Sequence, residues 1–157
     1  MNPFTIKPIN KENWEEAVEI SIHKDQEIFV PSVIESLAFA YIKPWDEAFD
    51  PYIICYENKI VGFFYLSYTP DSRDNYWIGG FQIDKKYQGK GYGILALLEI
   101  LKFISETYTH CIVVSLTVEK NNEPARQLYE KVGFINQNKE NQSGEIIYKL
   151  GLEPKHY

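Results

Sequence analysis

The segment Gln88-Gly89-Lys90-Gly91-Tyr92-Gly93 lies between a run that reads as a strand, Tyr76 to Ile83, and one that reads as a helix, Ile94 to Tyr108. Glycine at alternate positions lets the backbone approach a ligand closely and turn its N–H groups the same way. The helix that follows adds its own unpaired N–H groups and the positive end of its dipole. The pattern predicts a phosphate socket at a strand-to-helix turn. Two common phosphate binders fit it poorly. A dinucleotide fingerprint needs GxGxxG after the first strand of the fold, whereas this loop is GxGxG and lies past mid-chain. A P-loop needs Gly-Lys-Ser/Thr, and Lys90 is followed by Gly91.

The surrounding pattern is a crossover unit. Leu97, Leu101, Ile104 and Tyr108 recur at helical spacing and mark a core-facing stripe. Cys111 to Val118 is a nearly unbroken apolar run, as expected of a strand covered on both faces. Asn122 then caps a short helix that opens near Pro124 and closes at Gly133. Phe134 to Gln137 and Glu145 to Leu150, with Ser143-Gly144 between them, read as a closing hairpin. Toward the N-terminus, Phe4 to Ile9 reads as a strand. Asn10 to His23 reads as an amphipathic helix with Trp14, Val18 and Ile22 on one face. Ser32 and Glu35 form a capping-box pattern opening a helix through Tyr41, stopped by Pro44. Pro51 to Glu57 and Ile60 to Tyr68 are strands joined at Asn58-Lys59. Paired glycines weaken a strand interior, so Gly79-Gly80 implies a bulge or a close ligand approach.

Composition narrows the class. A chain of 157 residues, 45% hydrophobic, can bury about two-thirds of its extended surface in one core, so residues 1–157 are read as a single domain. No apolar run approaches the roughly 20 residues of a membrane span, and the N-terminus lacks a basic-then-apolar signal, so a cytoplasmic protein is expected. Cys55 and Cys111 sit in apolar runs without a CxxC, and the three histidines are scattered, so neither a disulfide nor a metal is expected. Residues 1–87 hold eight Lys/Arg against fourteen Asp/Glu, which accounts for the whole net charge of −6. An acidic half repels nucleic acid and attracts cations, although a solvated acidic face gives the same count.

The loop Gln-x-x-Gly-x-Gly, followed by Asn122-Glu123-Pro124-Ala125-Arg126-Gln127-Leu128-Tyr129-Glu130-Lys131-Val132-Gly133-Phe134, resembles the signature of the GNAT superfamily of N-acetyltransferases. The resemblance runs roughly from Tyr76 to Leu150. It implies a mixed α/β (α+β) fold in which a twisted, mostly antiparallel sheet is flanked by helices, and acetyl-CoA as cosubstrate. It further implies that the backbone of Phe81, Gln82 and Ile83 pairs with pantetheine and that the Ile83 N–H faces the thioester oxygen. By the same resemblance Gln88, Gly89, Lys90, Gly91, Tyr92 and Gly93 take the diphosphate, with Asn122 a further cofactor contact. Tyr129 matches the tyrosine that in this superfamily reaches the CoA sulfur, and a phenol with a pKa of about 10 can protonate a departing thiolate. By spacing alone Tyr129 reads equally as a core aromatic, and Lys90 as a solvated lysine.

A general base is not legible. Relatives of this kind place a glutamate near Trp77 or near Thr117, and neither position is acidic here. Glu119 and Glu123 lie close by and read as base-by-water or as exposed charges. Asp84 reads as ordering its turn. On the acceptor side, Asp25 to Ser32, Glu35 to Tyr41 and Gly62-Phe63 look like the bacterial spermine/spermidine (diamine) acetyltransferase branch. That resemblance implies a small cationic amine substrate, held by carboxylates such as Glu27, Glu35, Asp46 or Glu47 and aromatics such as Phe29, Tyr41 and Trp45 through ion pairing and cation–π contact. No nucleic acid or membrane partner is expected, and a homodimer is a further expectation from the superfamily. Rival readings are acetylation of another amine, such as an aminoglycoside or a protein N-terminus, and a non-catalytic acyl-CoA-binding module.

Overall fold

The computed structural model describes residues 2–153. Seven strands form one sheet in the order β1-β2-β3-β4-β5-β7-β6. The strands are β1 (Phe4–Pro8), β2 (Ala48–Tyr56), β3 (Lys59–Tyr68), β4 (Tyr76–Ile83), β5 (Val113–Val118), β6 (Ile135–Glu140) and β7 (Ile146–Gly151). Every neighbouring pair is antiparallel except β4 and β5, which are joined through helix α3 (Tyr92–Thr107) and lie parallel. This is the expected crossover.

Helices cover both faces. On one, Leu97, Ile100 and Ile104 of α3 pack with Ile54, Phe64 and Leu66. On the other, Val33 of α2 (Val33–Ile42) and Ala17 of α1 (Trp14–Ala17) join Ile53, Cys55 and Phe63. Successive side chains of β2 therefore enter opposite cores, and this double cover is why the strand reads as continuously apolar. Each fully buried aliphatic side chain contributes about 1.5–3 kcal/mol to the driving force. Cys55 and Cys111 are free and buried in the two separate cores. Tyr108, at the end of α3, turns polar at its tip and donates to Asp50 Oδ2 at 2.7 Å, as does Tyr68.

Local signals hold where neighbours in sequence complete them. Ser32 Oγ accepts from the Glu35 N–H at 3.1 Å and α2 ends at Lys43, one residue before Pro44. Helix α4 (Glu123–Val132) starts at the Asn122 cap and ends at Gly133. The β2–β3 turn is one residue earlier than expected, because Glu57 and Asn58 both take positive φ (47° and 68°), as a primed hairpin turn requires.

The helix expected over Asn10 to His23 is corrected to one turn. Ile20 is pulled into the core, Trp14 is left 45% exposed, and the Ser21 carbonyl accepts from the Lys85 N–H at 2.8 Å instead of continuing a helix. A long-range hydrogen bond has here replaced the local ladder.

The Gly79-Gly80 expectation is met by a bulge. Phe63 pairs with Gln82 and Tyr65 with Gly79, so Phe64 faces two residues of β4. The Tyr65 ring lies across Gly79 so closely that a Cβ there would sit 2.2 Å from it. Gly79→Ala should therefore displace a ring already stacked on Phe49 at 4.1 Å, lowering stability by about 1–3 kcal/mol. Denaturant unfolding of the variant checks this; unchanged stability would mean that the ring swings away freely.

Candidate active site

Beyond Trp77, which pairs with Ser115, β4 and β5 make no further ladder contact and separate. The bulge turns the end of β4 outward. The Asp84 N–H donates to Val61 O at 2.8 Å, so ladder alternation directs the N–H and C=O of Ile83 away from β3 and into the gap. The Ile83 carbonyl is taken by Gln88 Nε2 at 2.8 Å. Gln88 also exchanges two hydrogen bonds with Gln26, each 3.0 Å. Gln82, buried, donates to Gly80 O and Pro31 O, both at 3.0 Å, and so fixes the bulge against the segment before α2.

Two cavities open from this gap. The first, about 460 Å³, runs from Phe81 past the glycine loop to the start of α4. Phe81, Gln82, Ile83, Gln88, Gly89, Gly91, Tyr92, Gly93, Asn122 and Tyr129 are brought together in its wall. Lys90 is not: its ammonium lies 5.7 Å from the Tyr87 ring. Gly91 caps α3 with φ of 78°, and a Cβ there would meet nothing within 4 Å, so the loop is an open cradle facing unpaired helix N–H groups. Asn122 is both cap and wall, accepting from the Ala125 N–H at 3.4 Å.

The second cavity, about 470 Å³, lies on the α2 side and meets the first at Phe29, Val30, Phe81 and Tyr129. Glu27 and Glu35 line it. Tyr41 does not: it is 90% exposed in the last turn of α2, beyond the point where Leu37, four residues earlier on the same side, packs on the core. In its place Trp45, beyond the helix, reaches the cavity. Glu145, which sequence reasoning missed, also lines this cavity together with Thr117 and Tyr65. No local signal in the sequence marks it.

Tyr129 stands at the junction, its ring against Phe134 and its hydroxyl without a hydrogen-bond partner among the described residues. Burial alone pushes its phenol up to about 12. The carboxylates considered near the loop are engaged or elsewhere. Glu123 pairs with Arg126 and accepts from Gln127, Asp84 accepts from the Lys86 N–H, and Glu119 lines neither cavity. Arg126 is held by Lys120 O and the Tyr148 hydroxyl. Among the described residues, neither cavity wall contains a cysteine or histidine. Among the described residues no group of three or more His, Cys, Asp or Glu is placed to hold a metal ion, and no helix is long and apolar enough to cross a membrane.

A sheet split after one parallel contact, with a bulged strand and a glycine-capped helix on either side of the gap, defines the architecture of an acyl-transfer enzyme. The chain belongs to the acetyltransferase (GNAT) family, whose profile matches residues 14–134. It is an N-acetyltransferase. It is 29% identical over 140 residues to the probable spermine N(1)-acetyltransferase of Bacillus subtilis subsp. natto (strain BEST195), a match covering 83% of this chain and 87% of that one. The spermidine N-acetyltransferase from Vibrio cholerae, solved in complex with CoA and spermine, superposes with a TM-score of 0.72 at 16% identity, covering 97% of this chain and 96% of that one. An acetyl transferase from Salmonella typhimurium that modifies the N-terminal serine of a 50S ribosomal subunit protein superposes with a TM-score of 0.68 at 10% identity, covering 98% and 97%. At these identities the solved structures share the fold.

Proposed function

We propose that the protein transfers the acetyl group of acetyl-CoA directly to a primary amine of a small polyamine such as spermine or spermidine. The carrying observation is the meeting of two cavities at Phe81 and Tyr129, one walled by loop and helix N–H groups and the other by carboxylates. The first suits a diphosphate and its pantetheine arm, and the second suits a flexible polycation. The relative from Bacillus subtilis and the Vibrio cholerae complex support the same pairing.

In this reading Phe81, Gln82 and Ile83 hold pantetheine through their main chain, and the Ile83 N–H stabilises the oxyanion that develops on the acetyl carbonyl. Gln88, Gly89, Gly91, Tyr92 and Gly93 take the diphosphate, with Lys90 near its rim and Asn122 beside it. Tyr129 gives its proton to the departing sulfur. Its raised pKa does not disqualify it, because the thiolate leaves into the same poorly solvated junction and is itself made more basic there. Glu27 and Glu35 anchor the distal ammonium groups, and Phe29 and Trp45 supply aromatic faces for them. Holding the two reactants in one gap supplies roughly 7–11 kcal/mol in well-oriented cases, enough for direct transfer without an acyl-enzyme. The lack of a cysteine in either wall agrees with that.

A panel of amines with acetyl-CoA, followed by release of free thiol, tests the reading. Spermine and spermidine should exceed an aminoglycoside and a protein N-terminal peptide by at least about tenfold in kcat/KM, the discrimination that a few ion pairs in a pocket can supply. Turnover of neither polyamine would overturn it.

A further inference from the structure

We propose that Glu145 is the proton acceptor for the attacking amine; the proposal rests on reading the site as one of N-acetyl transfer. An alkylammonium has a pKa of about 10, so at neutral pH it must shed a proton before its nitrogen can attack. The two strand positions where a base would ordinarily be sought carry Trp77 and Thr117. The fold brings a carboxylate to the second of them from another element. Glu145 immediately precedes β7, where Ile147 pairs with Thr117, and its Oε2 accepts from the Thr117 hydroxyl at 3.4 Å. Oε1 accepts from the Asn141 side-chain amide at 3.0 Å, and the Glu145 N–H donates back to Asn141 Oδ1 at 2.9 Å.

This is a built position. Two donors to one carboxylate fix its direction. Glu145 is half-buried in the wall of the acceptor cavity, which it shares with Tyr129, Phe81 and the bulge glycines. Among the described residues, the titratable groups facing that cavity are Glu27, Glu35, Tyr65, Tyr129 and Glu145, and none is basic. Lys149 shares this face of β7 four residues on and does not reach the cavity. Burial, and then the Glu145 charge, raise the Tyr65 phenol, so Tyr65 stays neutral beside the carboxylate. Glu27 and Glu35 are set apart by exposure, and Glu35 is already engaged by Ser32. Glu145 is the carboxylate in this wall held by side chains of the sheet and its hairpin.

The step balances. One ammonium proton passes to the Glu145 carboxylate, the amine nitrogen bonds to the acetyl carbon, and the carbon–sulfur bond breaks. The sulfur takes the Tyr129 proton. Solvent then removes the proton from Glu145, and the second proton that the nitrogen sheds as the amide forms passes through solvent to restore Tyr129, so amide, thiol and one released proton are the net products.

The test is Glu145→Gln, which keeps the side chain's shape and can still meet Asn141 and Thr117. With the best amine of the panel at pH 7, kcat should fall about a hundredfold, the lower end for a positioned acid–base group, with CoA affinity and amine KM within about threefold of wild type. The deficit should shrink to under about tenfold as the assay is moved to pH 10, where solvent itself deprotonates the amine. Glu145→Asp, which keeps the carboxylate on a shorter arm, should recover part of the pH 7 rate. A kcat within threefold of wild type, or a deficit that stays constant from pH 7 to 10, would overturn the assignment. If the wild type prefers an amine other than a polyamine, the substrate reading fails and the comparison proceeds on that amine. If it turns over no amine, both fail.

Discussion

Gly91→Val is expected to abolish useful CoA binding, raising Kd at least about a hundredfold, which is roughly 2.7 kcal/mol. Two effects act together. Gly91 caps α3 at φ of 78°, where a β-branched residue pays roughly 1–3 kcal/mol in strain. Its Cβ would also point into the open cradle, with nothing of the protein within 4 Å, so the added methyl groups occupy the space proposed for the diphosphate. Gly91→Ala separates the two, since it carries the strain with less bulk and should lose less affinity. Calorimetry with CoA on the folded variants decides the matter. Wild-type affinity in Gly91→Val would mean that the socket lies elsewhere.

Tyr129→Phe is expected to lower kcat roughly a hundred- to a thousandfold while leaving CoA affinity within about threefold. The substitution is a sensitive probe because nothing else depends on the hydroxyl. The ring keeps its contact with Phe134, and the hydroxyl has no partner among the described residues, so stability should change by less than about 1 kcal/mol. The pH profile supplies an independent check. With the phenol pushed up to about 12, its proton is retained below that value and lost only as pH rises through it. Tyr129 should therefore contribute no falling limb to kcat between pH 7 and 10. A basic limb near pH 9 that disappears in Tyr129→Phe would contradict the raised pKa, and unchanged turnover would return Tyr129 to packing.

The glycine loop, both helix caps and the strand-helix-strand crossover were legible because each is completed by residues close in sequence. Ser32 needs only Glu35, Asn122 needs only Ala125, and the loop needs only the helix that follows it. Those same features carry the resemblance to the acetyltransferases, and the family match bears it out. Helical periodicity misled where a distant partner competed. Asn10 to His23 carries an amphipathic pattern, yet the Ser21 carbonyl is claimed by the Lys85 N–H and Ile20 by the core. Tyr41 failed for a related reason: its spacing puts it on the side of Leu37, yet the last turn of α2 runs past the core that Leu37 reaches.

Most of the elements, the glycine cradle and the placing of Tyr129 on α4 depend on backbone freedom, capping and spacing within a few residues, and so were readable from the chain alone. What shares the gap was settled by the packing of the whole sheet. Gln26 reaches Gln88 across 62 positions, and Glu145 reaches Thr117 across 28. Such meetings are set by the order in which strands lie side by side, with β7 inserted between β5 and β6. Strand order follows from burying both faces of the whole sheet at once, a global condition that no short stretch of chain encodes.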